Sequence, residues 1–112
     1  MIREVNWDES LFLSNRLRQR VAIGKAPSYF EELLGTEFYN GIDDLDYYKG
    51  RMFMLRDGTM VALVRYRGNP EDSTTVFLPH DRPHIADAVH QILERFSLSE
   101  ADIVWRDDST SA

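Results

Sequence analysis

The sequence contains no cysteine, which removes disulfides, thiolate nucleophiles and cysteine-based zinc sites at once. It has no apolar run near the roughly 18 residues that a membrane-spanning helix needs. Its start, MIREVNWDES, lacks the basic-then-apolar plan of a signal peptide. Positive charge is also short: 13 Lys plus Arg stand against 19 Asp plus Glu, a net charge of -6. Phosphate backbones and anionic lipids repel such a chain, so neither nucleic acid nor a membrane is an expected partner. A basic protein surface is allowed, and a cytoplasmic location is the expectation.

What is present is ordinary globular material: 112 residues, 43% hydrophobic and 12% aromatic. That length suits one domain over residues 1–112, with 107–112 read as a disordered tail. Asp8 to about Ile23 reads as a helix, because Leu13, Leu17 and Val21 recur every four residues. Asp8 or Ser10 can cap it, Gly24 can stop it, and Arg16, Arg18, Arg20 and Lys25 suit its C-terminal dipole. A second helix runs from Lys25-Ala26-Pro27 to Gly35, with Ser28 and Glu31 at capping-box spacing. Residues 37–48 show no clear period and contain Asn40-Gly41, a turn pair.

The strongest local signal is a hairpin, Arg51–Arg56 and Thr59–Arg67 around Asp57-Gly58, read as a type I′ turn. That register sets Leu55 opposite Met60, Phe53 opposite Ala62 and Arg51 opposite Val64. Apolar residues on both faces near the turn imply cover on both sides. Thr74–Leu78 gives a further strand. A third helix runs from about Pro83 to Phe96, capped by Asp81, with Ile85, Val89, Ile92, Leu93 and Phe96 as its apolar stripe. Ile103-Val104-Trp105 can form a last strand, and residues 2–5 another. The class is α+β: a small antiparallel sheet of three to four strands packed with about three helices.

Catalytic motifs are sparse. His80 and His84 are four apart, but Pro83 favours a helix that begins between them and no general-base Glu lies there. There is no GxSxG elbow, Walker A loop or GxGxxG. Asp43, Asp44 and Asp46 could hold a hard cation, yet they lack the EF-hand pattern. No cofactor or metal is therefore expected, and the chain reads as a non-enzyme.

Charge is unevenly spread. Residues 1–29 sum to +2, 30–48 to -6, 49–68 to +4 and 69–112 to -6. Within 30–48 lie Glu31, Glu32, Glu37, Asp43, Asp44 and Asp46 with no base, together with Phe38, Tyr39, Tyr47 and Tyr48. Carboxylates steer a cationic partner, and tyrosine rings supply contact area with few torsions to freeze. Glu37, Tyr39, Asp43, Asp44, Asp46, Tyr47 and Tyr48 are the candidate partner-binding residues. The other account of the segment is an acidic loop whose tyrosines pack on the sheet edge, balanced by Arg51, Arg56, Arg65 and Arg67.

A small, Cys-free, acidic α+β domain carrying Asp43-Asp44-Leu45-Asp46-Tyr47-Tyr48 resembles the immunity proteins of bacterial polymorphic and contact-dependent toxin systems. The resemblance covers size, charge and the acidic-aromatic patch, and transfers no residue by motif. It implies an inhibitor that neutralises a cognate toxin domain, basic and nuclease-like, by placing carboxylates in its cationic pockets or over a neighbouring exosite. Two rivals stay open. One is a small intracellular enzyme using Asp43, Asp44 and Asp46 with His80 or His84. The other is a regulatory or assembly subunit that pairs through the hairpin's free edge.

Overall fold

A computed structural model describes residues 3–13, 16–42, 46–81 and 84–107. Along the chain lie β1 (Arg3–Val5), α1 (Glu9–Leu13), β2 (Leu17–Ile23), α2 (Pro27–Leu34), β3 (Tyr39–Ile42) and β4 (Tyr47–Met54). They are followed by β5 (Met60–Tyr66), β6 (Thr74–Pro79), α3 (Ile85–Arg95), a short 3-10 turn (Glu100–Asp102) and β7 (Ile103–Arg106). The strands form one sheet in the order β1-β4-β5-β6-β2-β7, with β3 pairing β4 farther along the same edge as β1. Every pairing is antiparallel. The class is α+β, as expected, but seven strands replace the three or four read from the sequence.

Two misread segments account for the difference. Among the described residues of the expected first helix only Glu9–Leu13 is helical, capped by the Asp8 carboxylate, which accepts the Leu11 N–H at 3.1 Å. Leu17–Ile23 is a strand between β6 and β7. A spacing of four residues is one helical turn and also an even number of strand steps, so the pattern alone does not separate helix from strand. In the strand, the register shift after Gln19 puts Leu17 and Val21 on opposite faces of the sheet. The basic residues were read as a solvated helix end. Instead a register shift between Gln19 and Val21 turns Arg20 inward, where it is 2% exposed. The second misread segment, 37–48, supplies β3 and the start of β4.

The central hairpin has a different turn from the expected one. Leu55 N–H bonds to Thr59 O at 2.9 Å and Gly58 N–H to Leu55 O at 3.0 Å, and Gly58 takes φ +86° while Asp57 stays at negative φ. This is a three-residue loop, a type I turn followed by a left-handed glycine, rather than the two-residue type I′ turn. The register moves by one: Met54 faces Met60, Phe53 faces Val61, Met52 faces Ala62 and Arg51 faces Leu63. One step exchanges faces, so Phe53 and Val61 share a side instead of Phe53 and Ala62. Nor does the hairpin have a free edge, because β1 and β3 cover β4 and β6 covers β5.

Cover on both faces is as expected. On one face Val21, Ile23, Phe53, Leu55, Val61, Leu63, Val76 and Leu78 pack under Phe30 of α2 and Ala88, Val89, Ile92 and Leu93 of α3, with Phe96 beyond it. On the other, Leu17, Tyr48, Met52, Ala62 and Val64 pack with Phe12 of α1 and the ring of Trp7. Helix α2 ends as read, with Gly35 left-handed at φ +74° and bonded back to Glu31 O. Its start is Ala26 without a side-chain cap, and Glu31 instead accepts the Phe38 N–H at 2.7 Å, so the Ser28–Glu31 capping box does not form. His84, not Asp81, occupies the N-cap of α3. Asp107, read as tail, is tied down by a bond from its N–H to Arg20 O at 2.8 Å and by an ion pair with Arg18 at 3.1 Å.

Candidate functional site

Asn40-Gly41 lies within β3 rather than in a turn. Gly41 stands directly opposite Tyr48, and a Cβ there would sit 2.4 Å from Tyr48 Cζ. The glycine is what lets the phenol ring lie across the strand. Gly50 does the same for Trp7, whose ring would meet a Cβ at 2.4 Å. Trp7 then stacks on Tyr39 at 5.9 Å and tilts against Tyr48 at 5.7 Å. Aromatic rings laid over strand glycines replace the missing side-chain contacts and fix the hairpin from below.

The opposite face of this hairpin carries two cross-strand rows. Ile42, Tyr47 and Arg67 form the first, with Ile42 opposite Tyr47 and the Arg67 N–H bonded to Tyr47 O at 2.9 Å. Asn40, Lys49 and Arg65 form the second. Between the rows lies a shallow depression of about 200 Å³, floored by the backbone of Gly41 and Tyr48. The Arg67 guanidinium lies 4.8 Å from the Tyr47 ring centroid and pairs with Asp46 at 2.8 Å. Arg65 donates to Pro70 O at 3.0 Å and Asn69 O at 2.8 Å, bracing the turn after β5.

The candidate residues thus divide. Tyr39 and Tyr47 are 43% and 54% exposed, and Glu37 is exposed. Tyr48 is 2% exposed, so its ring is part of the second core rather than a surface anchor. Asp46 is committed to Arg67, the internal balance that the alternative account assigned to the hairpin's arginines. Asp43 and Asp44 lie outside the described residues. Sequence reading missed Ile42 and Lys49 at this surface, while Arg67 is the arginine of the alternative account that does meet the segment; which residues meet across strands shows only once the register is known.

No family model, characterised protein or solved structure matches the chain. Function must therefore come from the geometry.

Of the rival catalytic set, Asp46 and His80 are not brought together. Asp46 precedes β4 at the end where β5 finishes, whereas His80 follows β6 at the end where β5 begins. The length of β5, about 20 Å at 3.3 Å per residue, separates them. His90 instead pairs with Glu94 at 3.4 Å on the exposed side of α3. Among the described residues, no group of three or more His, Asp or Glu could hold a metal. Among them, too, no helix is long and apolar enough to cross a membrane.

Tyr48 has a measurable signature of its own. Burial pushes its phenol up to about 12, reinforced by its hydrogen bond to Glu9 Oε1 at 3.0 Å and by the charge of Glu9, with Trp7 acting in the opposite direction. The unfolded phenol ionises near 10, so this contribution is complete below pH 10 and is lost as pH rises through about 12. Urea unfolding across that window is expected to show stability falling more steeply for the wild type than for Tyr48→Phe. Equal slopes would place Tyr48 in a wet environment.

Proposed function

We propose that the protein is a non-enzymatic protein–protein interaction module, an immunity-type inhibitor that docks a cognate toxin domain through the β3–β4 hairpin. The observation that carries this reading is the display of Ile42 and Tyr47, cross-strand neighbours on one face of the hairpin that are 56% and 54% exposed. Rings held on a rigid support are good anchors, because little side-chain freedom is lost on docking. The net charge of -6 favours a basic partner by long-range steering.

The test is co-purification from the native host, identification by mass spectrometry, and association kinetics with the captured protein. The expected result is a basic enzyme domain whose activity this protein blocks stoichiometrically. Tyr47→Ala is expected to raise the dissociation rate about 30-fold, the effect of losing a contact worth about 2 kcal/mol, with little change in association rate. A partner whose activity is untouched overturns the inhibitor reading. Unchanged kinetics for an Ile42→Ala, Tyr47→Ala double variant overturn the docking face.

A further inference from the structure

We propose that β7 is a self-association edge, at which a second copy of this chain pairs antiparallel with β7 across a two-fold axis. The inference is independent of the docking reading above, because β7 and the β3–β4 hairpin lie at opposite edges of the sheet. Among the described residues, β7 pairs with β2 alone. The Asp107 N–H bonds to Arg20 O and the Gly24 N–H to Asp102 O, and bonded pairs alternate along an antiparallel ladder. Ile103 and Arg106, opposite Ile23 and Val21, are the unbonded steps, so their backbone N–H and C=O point away from β2 to the open edge.

A bulge decides which side chains stand at that edge. Ile103 faces Ile23 and Trp105 faces Ala22, which leaves Val104 as an extra residue. Ile103 packs against the larger core, whereas Val104 and Trp105 are 65% and 47% exposed. A Cβ on Gly24 would lie 3.1 Å from Val104 Cγ1, and its direction is that of Ala22, away from the larger core. Val104 and Trp105 therefore sit side by side on one face, where a regular strand would part them. Pairing Ile103 of each copy with Arg106 of the other matches donors to acceptors and joins both Val104–Trp105 pairs into one apolar cluster.

Charge singles out a second copy as the occupant. Arg106, the one charge within β7, is paired with Glu100 of its own chain, and the strand has no Lys or Pro to guard its edge. Residues 18–25 and 100–108, the paired strands and their ends, carry four bases and four acids, Asp108 included. On a chain of net charge -6 this neutral corner is where two copies approach without local repulsion, whereas a strongly charged partner finds no steering there. A two-fold contact uses the same surface twice and closes, so association stops at the dimer.

The test is sedimentation velocity of the full chain from about 10 µM to about 1 mM, a range suited to a weak, reversible contact of less than about 1,200 Å². The mass is expected to rise from 13.1 kDa toward twice that value, and added salt, which screens the net charge, to favour the dimer. Over the same range Trp105 emission is expected to move to shorter wavelength as its ring leaves water, and amide exchange at Ile103 and Arg106 to slow. Val104→Lys, at an exposed position, is expected to keep the thermal midpoint and to weaken dimerisation about tenfold or more, because two unpaired cations meet at the axis. Leu33→Lys, the same change at an exposed residue of α2, is expected to leave dimerisation unaltered. A chain that stays monomeric throughout overturns the proposal, whether its own residues after Asp107 or another protein's strand takes the edge. So does a dimer that Val104→Lys leaves intact or that Leu33→Lys dissolves.

Discussion

Val89→Asp is expected to yield no folded protein at 25 °C. Val89 is 2% exposed on α3 and packs in the larger core, beside Ile92 and Phe96 and over the sheet. An unpaired carboxylate there must be stripped of water or protonated, and the apolar contacts of the valine are lost as well. Total stability for a domain of this size is about 5–15 kcal/mol, so the combined cost is comparable to the whole. Val89→Ala supplies the control: it removes buried methyl groups without a charge, and about 1–3 kcal/mol is the expected loss, with the fold retained. Far-ultraviolet circular dichroism and amide dispersion separate the outcomes. A well-dispersed Val89→Asp spectrum would show that α3 does not seat this residue against the sheet.

The second large effect is expected at a charge the sequence placed on the surface. Arg20 is 2% exposed, lies 3.9 Å from Asp107 Oδ2 and donates to His80 O at 3.3 Å. Asp107→Asn keeps the shape and removes the counter-charge, and a loss of about 3 kcal/mol is expected because a buried guanidinium is left under-compensated. Arg20→Met is expected to cost much less, since an apolar chain of similar length fills the space without needing a partner. Urea unfolding of the two variants gives the comparison. If Arg20→Met is the more damaging, the guanidinium contributes through its own hydrogen bonds and the balance of charge is secondary.

How legible the fold was depended on the distance over which each signal acts. Helix α3 and the presence of the β4–β5 hairpin were readable, because a 3.6-residue stripe and a turn dipeptide are local. The hairpin's register was not, since Asp57-Gly58 serves a two-residue or a three-residue loop equally well and only packing of Phe53 against Val61 decides. Strand β2 was hidden because its neighbours, β6 and β7, come from the far half of the chain. At the site, the tyrosines and acids of 37–48 were visible as composition. That Arg67 would hold Asp46, that Tyr48 would turn inward while Tyr47 stayed out, and that Lys49 would meet Arg65 all follow from strand pairing across Gly41 and Gly50. The two glycines were the available clue, because a glycine inside a strand often marks a close approach by another group.

The position of β2 carries a consequence for synthesis on the ribosome. Leu17 pairs with Pro79 and Val21 with Arg106, so this early strand has neither neighbour until β6 has emerged and lacks the second until β7 follows. During translation its apolar side chains and the long side chain of Arg20 wait in a nascent state, while the β4–β5 hairpin can already close through local contacts. Assembly of this part of the sheet is thus a slot filled between two late arrivals, and a nascent chain stalled before β7 would present β2 as an open template to chaperones or to other unfinished chains.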